Sequence, residues 1–222
     1  YVNYLCDANT ISLWHLDELE GTMDDICTGN NNGTLNGTTY FTQHGKVGAG
    51  RGFNGSTGYV STALTSFPAG SNARTVDMWY KPKTVNSTAR YLYSYGTNTA
   101  GQEFSIGQDN TNGFFVNTNT STYASSYIPT ADTWYHVAVT YDGNWLILYV
   151  NGTAQMTQPI GGLSTNTAGS SAIGRRLTGA NYTDGVIDEV RLSNIDRSAA
   201  DILAAYQYDK RAFPITIDFS AV

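Results

Sequence analysis

Residues 133–153 read TWYHVAVTYDGNWLILYVNGT, and this stretch decides the fold. Two runs of aromatic and β-branched residues flank Asp142-Gly143-Asn144, whose residues tolerate the positive φ of a tight turn, so the pattern predicts a β-hairpin. Asn151-Gly152 marks a second turn. Alternation puts Val137, Val139 and Tyr141 on one face and Ala138 on the other. In the second strand Trp145, Ile147 and Tyr149 oppose Leu146, Leu148 and Val150. Both faces are apolar, whereas a hairpin wetted on one side alternates with polar residues, so this one belongs deep in a two-layer sandwich.

Working outward, further strand candidates separated by turn residues fall at Ile11–Leu16, Gly52–Phe53, Tyr59–Ser61, Thr75–Lys81, Arg90–Tyr95, Phe104–Gly107, Phe114–Asn117, Thr122–Ser126, Ser171–Ile173 and Gly185–Leu192. Their regular spacing predicts an all-β, two-sheet antiparallel sandwich. A single helical signal comes late. Ser198 and Asp201 make a short capping box, and Ile202, Leu203 and Tyr206 follow at helical spacing. That reads as one short C-terminal helix packed against a sheet edge. The domain is expected to span residues 1–208, with 209–222 a linker or the first strand of a following domain.

Composition narrows the classes. Hydrophobic residues make up 41% of the 222 and charged residues 14%, enough apolar material for a substantial core beneath a surface solvated by Thr, Ser and Asn. The net charge of −6 lacks the basic stripe of a nucleic-acid binder. No apolar run approaches the roughly 20 residues of a membrane span, so no membrane insertion is expected. A start at Tyr1 reads as a processed or excised segment, and the low charge suggests an extracellular or surface setting. Cys6 and Cys27 bracket the first strand and its loop; they form either a disulfide in an oxidising compartment or two free thiols.

Six motifs in order carry a resemblance. They are Leu13-Trp14-His15-Leu16-Asp17-Glu18, the Asn/Gly-rich loop from Asp25 through Leu35, and Gly45-Lys46-Val47-Gly48 with Gly52-Phe53-Asn54-Gly55 and Gly58-Tyr59-Val60. Thr75 to Lys81-Pro82, Trp134 to Asp142, and Gly185 to Leu192 complete the set. From Ile11 to Tyr208 the chain resembles the laminin-G-like, concanavalin A-like jelly-roll family of surface proteins. The resemblance implies a jelly-roll sandwich serving as a glycan-binding, adhesive or spacer module. It also implies a structural calcium ion held by Asp188, with Asp17 and Asp25 adding oxygens if the loop folds back. The alternative is that Asp188 pairs with Arg191 or caps a turn, and that Asp25 merely opens its loop.

Glucanases of this fold place carboxylates at alternate positions on one strand, and a retaining pair stands about 5–5.5 Å apart. Here the acidic pair on a strong strand is Asp188-Glu189, adjacent and therefore expected on opposite faces. His15 and His136 read as structural residues within strands, and no nucleophilic triad or zinc spacing can be assembled. For a binding face, Tyr91, Tyr93 and Tyr95 alternate on one strand, and Tyr123 extends them. Such a row either stacks sugar rings or packs in the core. Trp79 and Trp145 are assigned to the core, and Arg175-Arg176 to a solvated loop. The sequence therefore supports a non-catalytic recognition or adhesion module for glycans. A structural module contacting neighbouring protein subunits in a cell-surface or virion appendage is the alternative, and a glycoside hydrolase ranks behind both.

Overall fold

The computed structural model describes residues 5–209. One sheet contains β1 (Thr10–Trp14), β4 (Thr39–Thr42), β5 (Gly50–Asn54), β7 (Arg74–Pro82), β12 (Tyr135–Tyr141), β13 (Trp145–Val150), β14 (Thr153–Pro159) and β16 (Asp184–Ser193). The other contains β2 (Thr22–Met23), β3 (Gly33–Asn36), β6 (Tyr59–Thr62), β8 (Arg90–Gly96), β9 (Glu103–Asp109), β10 (Gly113–Asn117), β11 (Thr122–Ala124) and β15 (Ser170–Ile173). The first runs β14-β13-β12-β7-β16-β5-β4, with β1 also paired to β16, and the second runs β11-β10-β9-β8-β15-β6-β3-β2. Every strand pair is antiparallel. The result is the expected two-sheet sandwich.

The deciding stretch occupies β12 and β13, on either side of the turn expected at Asp142-Gly143-Asn144. Val137, Val139, Tyr141, Leu146, Leu148 and Val150 all enter the core between the sheets. Burying a side chain of this kind is worth about 1.5–3 kcal/mol, so the hairpin anchors its sheet. The opposite face is apolar for a separate reason. Helix α1 (Ala199–Asp209) lies over it, with Ile202 packed against Ala138 and Tyr149. Its start follows the expected box: the Ser198 hydroxyl accepts from the Asp201 amide at 3.2 Å, while the Asp201 carboxylate accepts from the Ser198 amide at 3.0 Å. The helix thus covers a face rather than an edge.

Some readings need correction. Trp145 is 46% exposed, because it begins its strand beyond the reach of the helix, while Trp79 is buried beneath Tyr206 of α1. Strands β2, β3, β4 and β14 carry too few β-branched apolar residues to announce themselves. Cys6 and Cys27 form a disulfide with Cα atoms 5.6 Å apart, tying the N-terminal segment to the loop after β2. The reading of 209–222 as a linker or further strand falls almost wholly outside the described residues, Asp209 being the last residue of α1.

Candidate functional site

The tyrosine row does not form a binding face. Strand β8 lies centrally in its sheet, so Tyr93 and Tyr95 point into the sandwich, both 0% exposed. A bulge at Leu92 breaks the alternation and turns Tyr91 to the outer face. There Phe115 packs edge-on at 5.4 Å and the Arg176 guanidinium covers it at 5.4 Å. Tyr123 packs against the rim of the core. None of the first three rings is open to a sugar.

Arg175 and Arg176 are not a solvated pair either. Arg175 lies 3.5 Å from the Tyr59 ring centroid. Arg176 donates to both carboxylate oxygens of the fully buried Glu103, at 3.1 and 3.2 Å, and to the side-chain oxygens of Asn117 and Asn119. Around Tyr91 the outer face of this sheet is closed over by its own side chains.

The expected metal ligands also part company. Both oxygens of Asp25 are occupied by main-chain amides, Oδ1 by Leu13 and Cys27 and Oδ2 by Asn31, so this carboxylate shapes the Asn-rich loop. Asp188 Oδ2 accepts from the amides of Lys46 and Val47 at 2.6 and 2.9 Å. Its Oδ1 is buried with no hydrogen-bond partner, and burial, reinforced by the Glu189 charge, pushes its pKa well up. Among the described residues no three His, Cys, Asp or Glu side chains are grouped to hold a metal. Calcium wants six to eight oxygens. Asp17 is exposed, Asp25 spends both oxygens on its loop and Asp188 lies buried, so these three carboxylates are not gathered around one point to supply them.

The geometry around Glu189 differs from plain alternation. Two residues, Glu189 and Val190, stand between Asp188 and Arg191, where β7 supplies one between Trp79 and Asp77. Glu189 takes a φ of 53° at this bulge, in the left-handed region that a non-glycine residue seldom adopts. Its carboxylate meets Nδ1 of His15 at 2.8 and 2.9 Å. The exclusion of an Asp188–Glu189 pair therefore cannot rest on opposite faces. It rests on access: the two residues are 0% and 2% exposed, so no substrate reaches between them.

An open site does exist on the outer face of the first sheet, beside the area covered by α1. Cross-strand register brings Tyr40, Gly52, Val186 and Lys81 into one row over four strands. Gly52 leaves a gap, and the Tyr40 ring lies across it; a Cβ there would come within 2.1 Å of the ring. The ring thus rests against the Gly52 position while the residue stays 45% exposed. Thr42, His44, Lys83 and Asp132 complete the wall of a cleft of about 270 Å³. Lys81 Nζ stands 5.2 Å from the Trp134 ring centroid at its margin. The cleft offers an apolar ring face ringed by a hydroxyl, an imidazole, two amines and a carboxylate.

Sequence reasoning missed these residues. The signal was present in Thr39-Tyr40-Phe41-Thr42, a short strand next to a glycine-punctuated one, but the pairing that sets Tyr40 on Gly52 is not visible in either segment alone.

Comparison with known proteins agrees with this architecture. A family model described as Laminin_G_3, of the concanavalin A-like lectin/glucanases superfamily, matches residues 54–203. The chain belongs to this family. No curated protein matches this family member in sequence. Among solved structures, it is similar to domain 4 of AbnA, a GH43 extracellular arabinanase from Geobacillus stearothermophilus, in complex with arabinotriose. The two share 18% identity at a TM-score of 0.73, over 90% of this chain and 98% of that one. The botulinum neurotoxin serotype G binding domain shares 12% identity at a TM-score of 0.70, over 91% of this chain. The serotype D ligand binding domain, in complex with N-acetylneuraminic acid, shares 13% at 0.63, over 90% of this chain. This concanavalin A-like chain spans about half the length of each toxin domain, 52% and 51%. At such identities the likeness is one of fold. Among the described residues no helix is long and apolar enough to cross a membrane.

Proposed function

We propose that the chain is a non-catalytic carbohydrate-binding module of a secreted or surface protein, and that the Tyr40 cleft is its binding site. The observation that carries this reading is the Tyr40 ring, seated against Gly52 and half exposed among hydrogen-bonding side chains. A sugar ring presents apolar C–H faces and equatorial hydroxyls, and an aromatic platform with polar neighbours matches both. The volume lies just below the roughly 300–1,000 Å³ of drug-sized pockets, which suits one sugar residue gripped within a longer chain. Support comes from the carbohydrate complexes of two proteins of the same fold. The sealed state of Asp188 and Glu189 argues against hydrolysis at that pair.

A glycan array probed with the native chain and Tyr40→Ala tests this. Binding of at least one oligosaccharide, lost in the variant while its thermal melting stays close to native, is the expected result. Binding that survives the substitution removes the cleft from the account. Reducing-sugar release from β-glucans or arabinans would overturn the non-catalytic assignment.

The assembly reading keeps one observation of its own. Strand β14 ends its sheet with seven mostly exposed residues, an edge on which a neighbouring strand could pair. A concentration-dependent mass in analytical ultracentrifugation, abolished by a proline in that edge, would favour it.

A further inference from the structure

Resting on the Tyr40 cleft as the sugar site, we infer that its preferred ligand is an acidic sugar, one bearing a carboxylate or sulfate, rather than a neutral one. The protein as a whole carries a net charge of −6, so an average patch of its surface repels anions. The cleft reverses that sign. Lys81 and Lys83 line it with His44, against one lining carboxylate, Asp132. The next carboxylate along β16, Asp184, is buried and accepts a hydrogen bond from the Thr84 hydroxyl at 2.9 Å, so it is spent inside the fold.

The lysines are also placed for the task. Among the described residues neither forms a salt bridge with a carboxylate. Lys81 continues the row Tyr40, Gly52, Val186, so its ammonium stands at the end opposite the tyrosine. A sugar ring stacked on Tyr40 would direct a substituent along that row towards Lys81. Lys83 follows two residues on along the same strand's exit and is exposed. Lysines act as point charges with three rotatable donors, which suits a charged group of either planar or tetrahedral geometry. Uronate and sulfate esters therefore share the recognising chemistry.

The test measures affinity of the full chain by isothermal titration calorimetry for three probes: trigalacturonate, the same trisaccharide with its carboxyls reduced to hydroxymethyl groups, and a sulfated galactose trisaccharide. The expected result is about threefold to tenfold tighter binding of one or both acidic probes than of the neutral one, a size set by partly exposed ion pairs. That margin should shrink as salt is raised from about 0.05 to 0.5 M, where screening shortens to a few ångströms. Lys83→Gln and the double variant Lys81→Gln/Lys83→Gln should collapse the ratio of acidic to neutral affinity, while Lys83→Arg should keep it. A margin for trigalacturonate alone assigns uronates, and one for the sulfated probe alone assigns sulfate esters. Equal affinity for all three overturns the inference while leaving the sugar site standing. Binding of none of the three overturns the inference, and a glycan array that is also silent, or binding insensitive to Tyr40→Ala, overturns the site with it.

Discussion

At position 52 any side chain would collide with Tyr40, since even a Cβ comes within 2.1 Å of the ring. Gly52→Ala should therefore lift the ring off its support and weaken oligosaccharide binding at least about tenfold, with melting little changed because Tyr40 lies outside the core. Calorimetry beside a thermal melt checks this; unchanged affinity would mean that the ring's seat is irrelevant. Arg176 gives a second residue-scale prediction. It partners Glu103, which is 0% exposed, so Arg176→Met should leave an uncompensated buried carboxylate and cost about 3 kcal/mol in urea unfolding. Adding Glu103→Leu should restore most of that loss, and an additive double variant would contradict the pairing. Neither partner was legible from sequence. Arg175-Arg176 sits in a turn-rich segment that reads as solvated, and only the folded sheet brings Glu103 beneath it.

At the scale of elements, two bulges decide what alternation alone could not. One turns Tyr91 away from Tyr93 and Tyr95, and the other swings Glu189 beside His15. Burial works to lower the His15 pKa, but the hydrogen bond and charge of Glu189, aided by Asp17 and Glu18, outweigh it and the net shift is upward. A histidine raised in the folded chain contributes stability that is whole below its unfolded pKa, about 6.5, and lost as pH rises through the folded value. The unfolding free-energy difference between native chain and His15→Asn should accordingly be largest near about pH 6 and shrink towards about pH 9. A difference constant over that window would contradict the His15–Glu189 latch. Strands rich in aromatic and β-branched residues, such as Tyr135–Tyr141 and Trp145–Val150, were readable because their apolar runs exceed what any loop carries; only Trp145, at the strand's exposed start, escaped that reading. Strand β4 was not: its Thr-Tyr-Phe-Thr sequence is short and half exposed, so pairing with β5 rather than local propensity makes it a strand.

Across the whole molecule, apolar hairpins legible in the sequence set two sheets face to face, and the coverings of their outer faces decide where a ligand can dock. One outer face is closed around Tyr91 by Arg176 and its partners; the other is half covered by α1 and by the Gly45–Gly48 loop, whose Lys46 and Val47 amides hold Asp188. The Tyr40 cleft lies on the open part of that second face. The N-terminal strand is further held by Cys6–Cys27, which closes a loop of 21 residues in separation. Reduction, or the double variant Cys6→Ser/Cys27→Ser, should cost about 3 kcal/mol and lower the melting temperature by several degrees. A melting temperature indifferent to dithiothreitol would contradict that role. Because the cleft is remote from the disulfide in sequence and built on β4, β5, β7 and β16, its sugar affinity should persist below the lowered melting point.

The most direct measurement is an NMR titration of the isotopically labelled chain with an array-positive oligosaccharide. Amide shifts concentrated at Thr42, Gly52, Lys83 and Val186, with the Tyr40 ring protons moving upfield, are the predicted outcome. Shifts centred on Tyr91 and Phe115, or spread evenly over both sheets, would place recognition elsewhere and contradict the account.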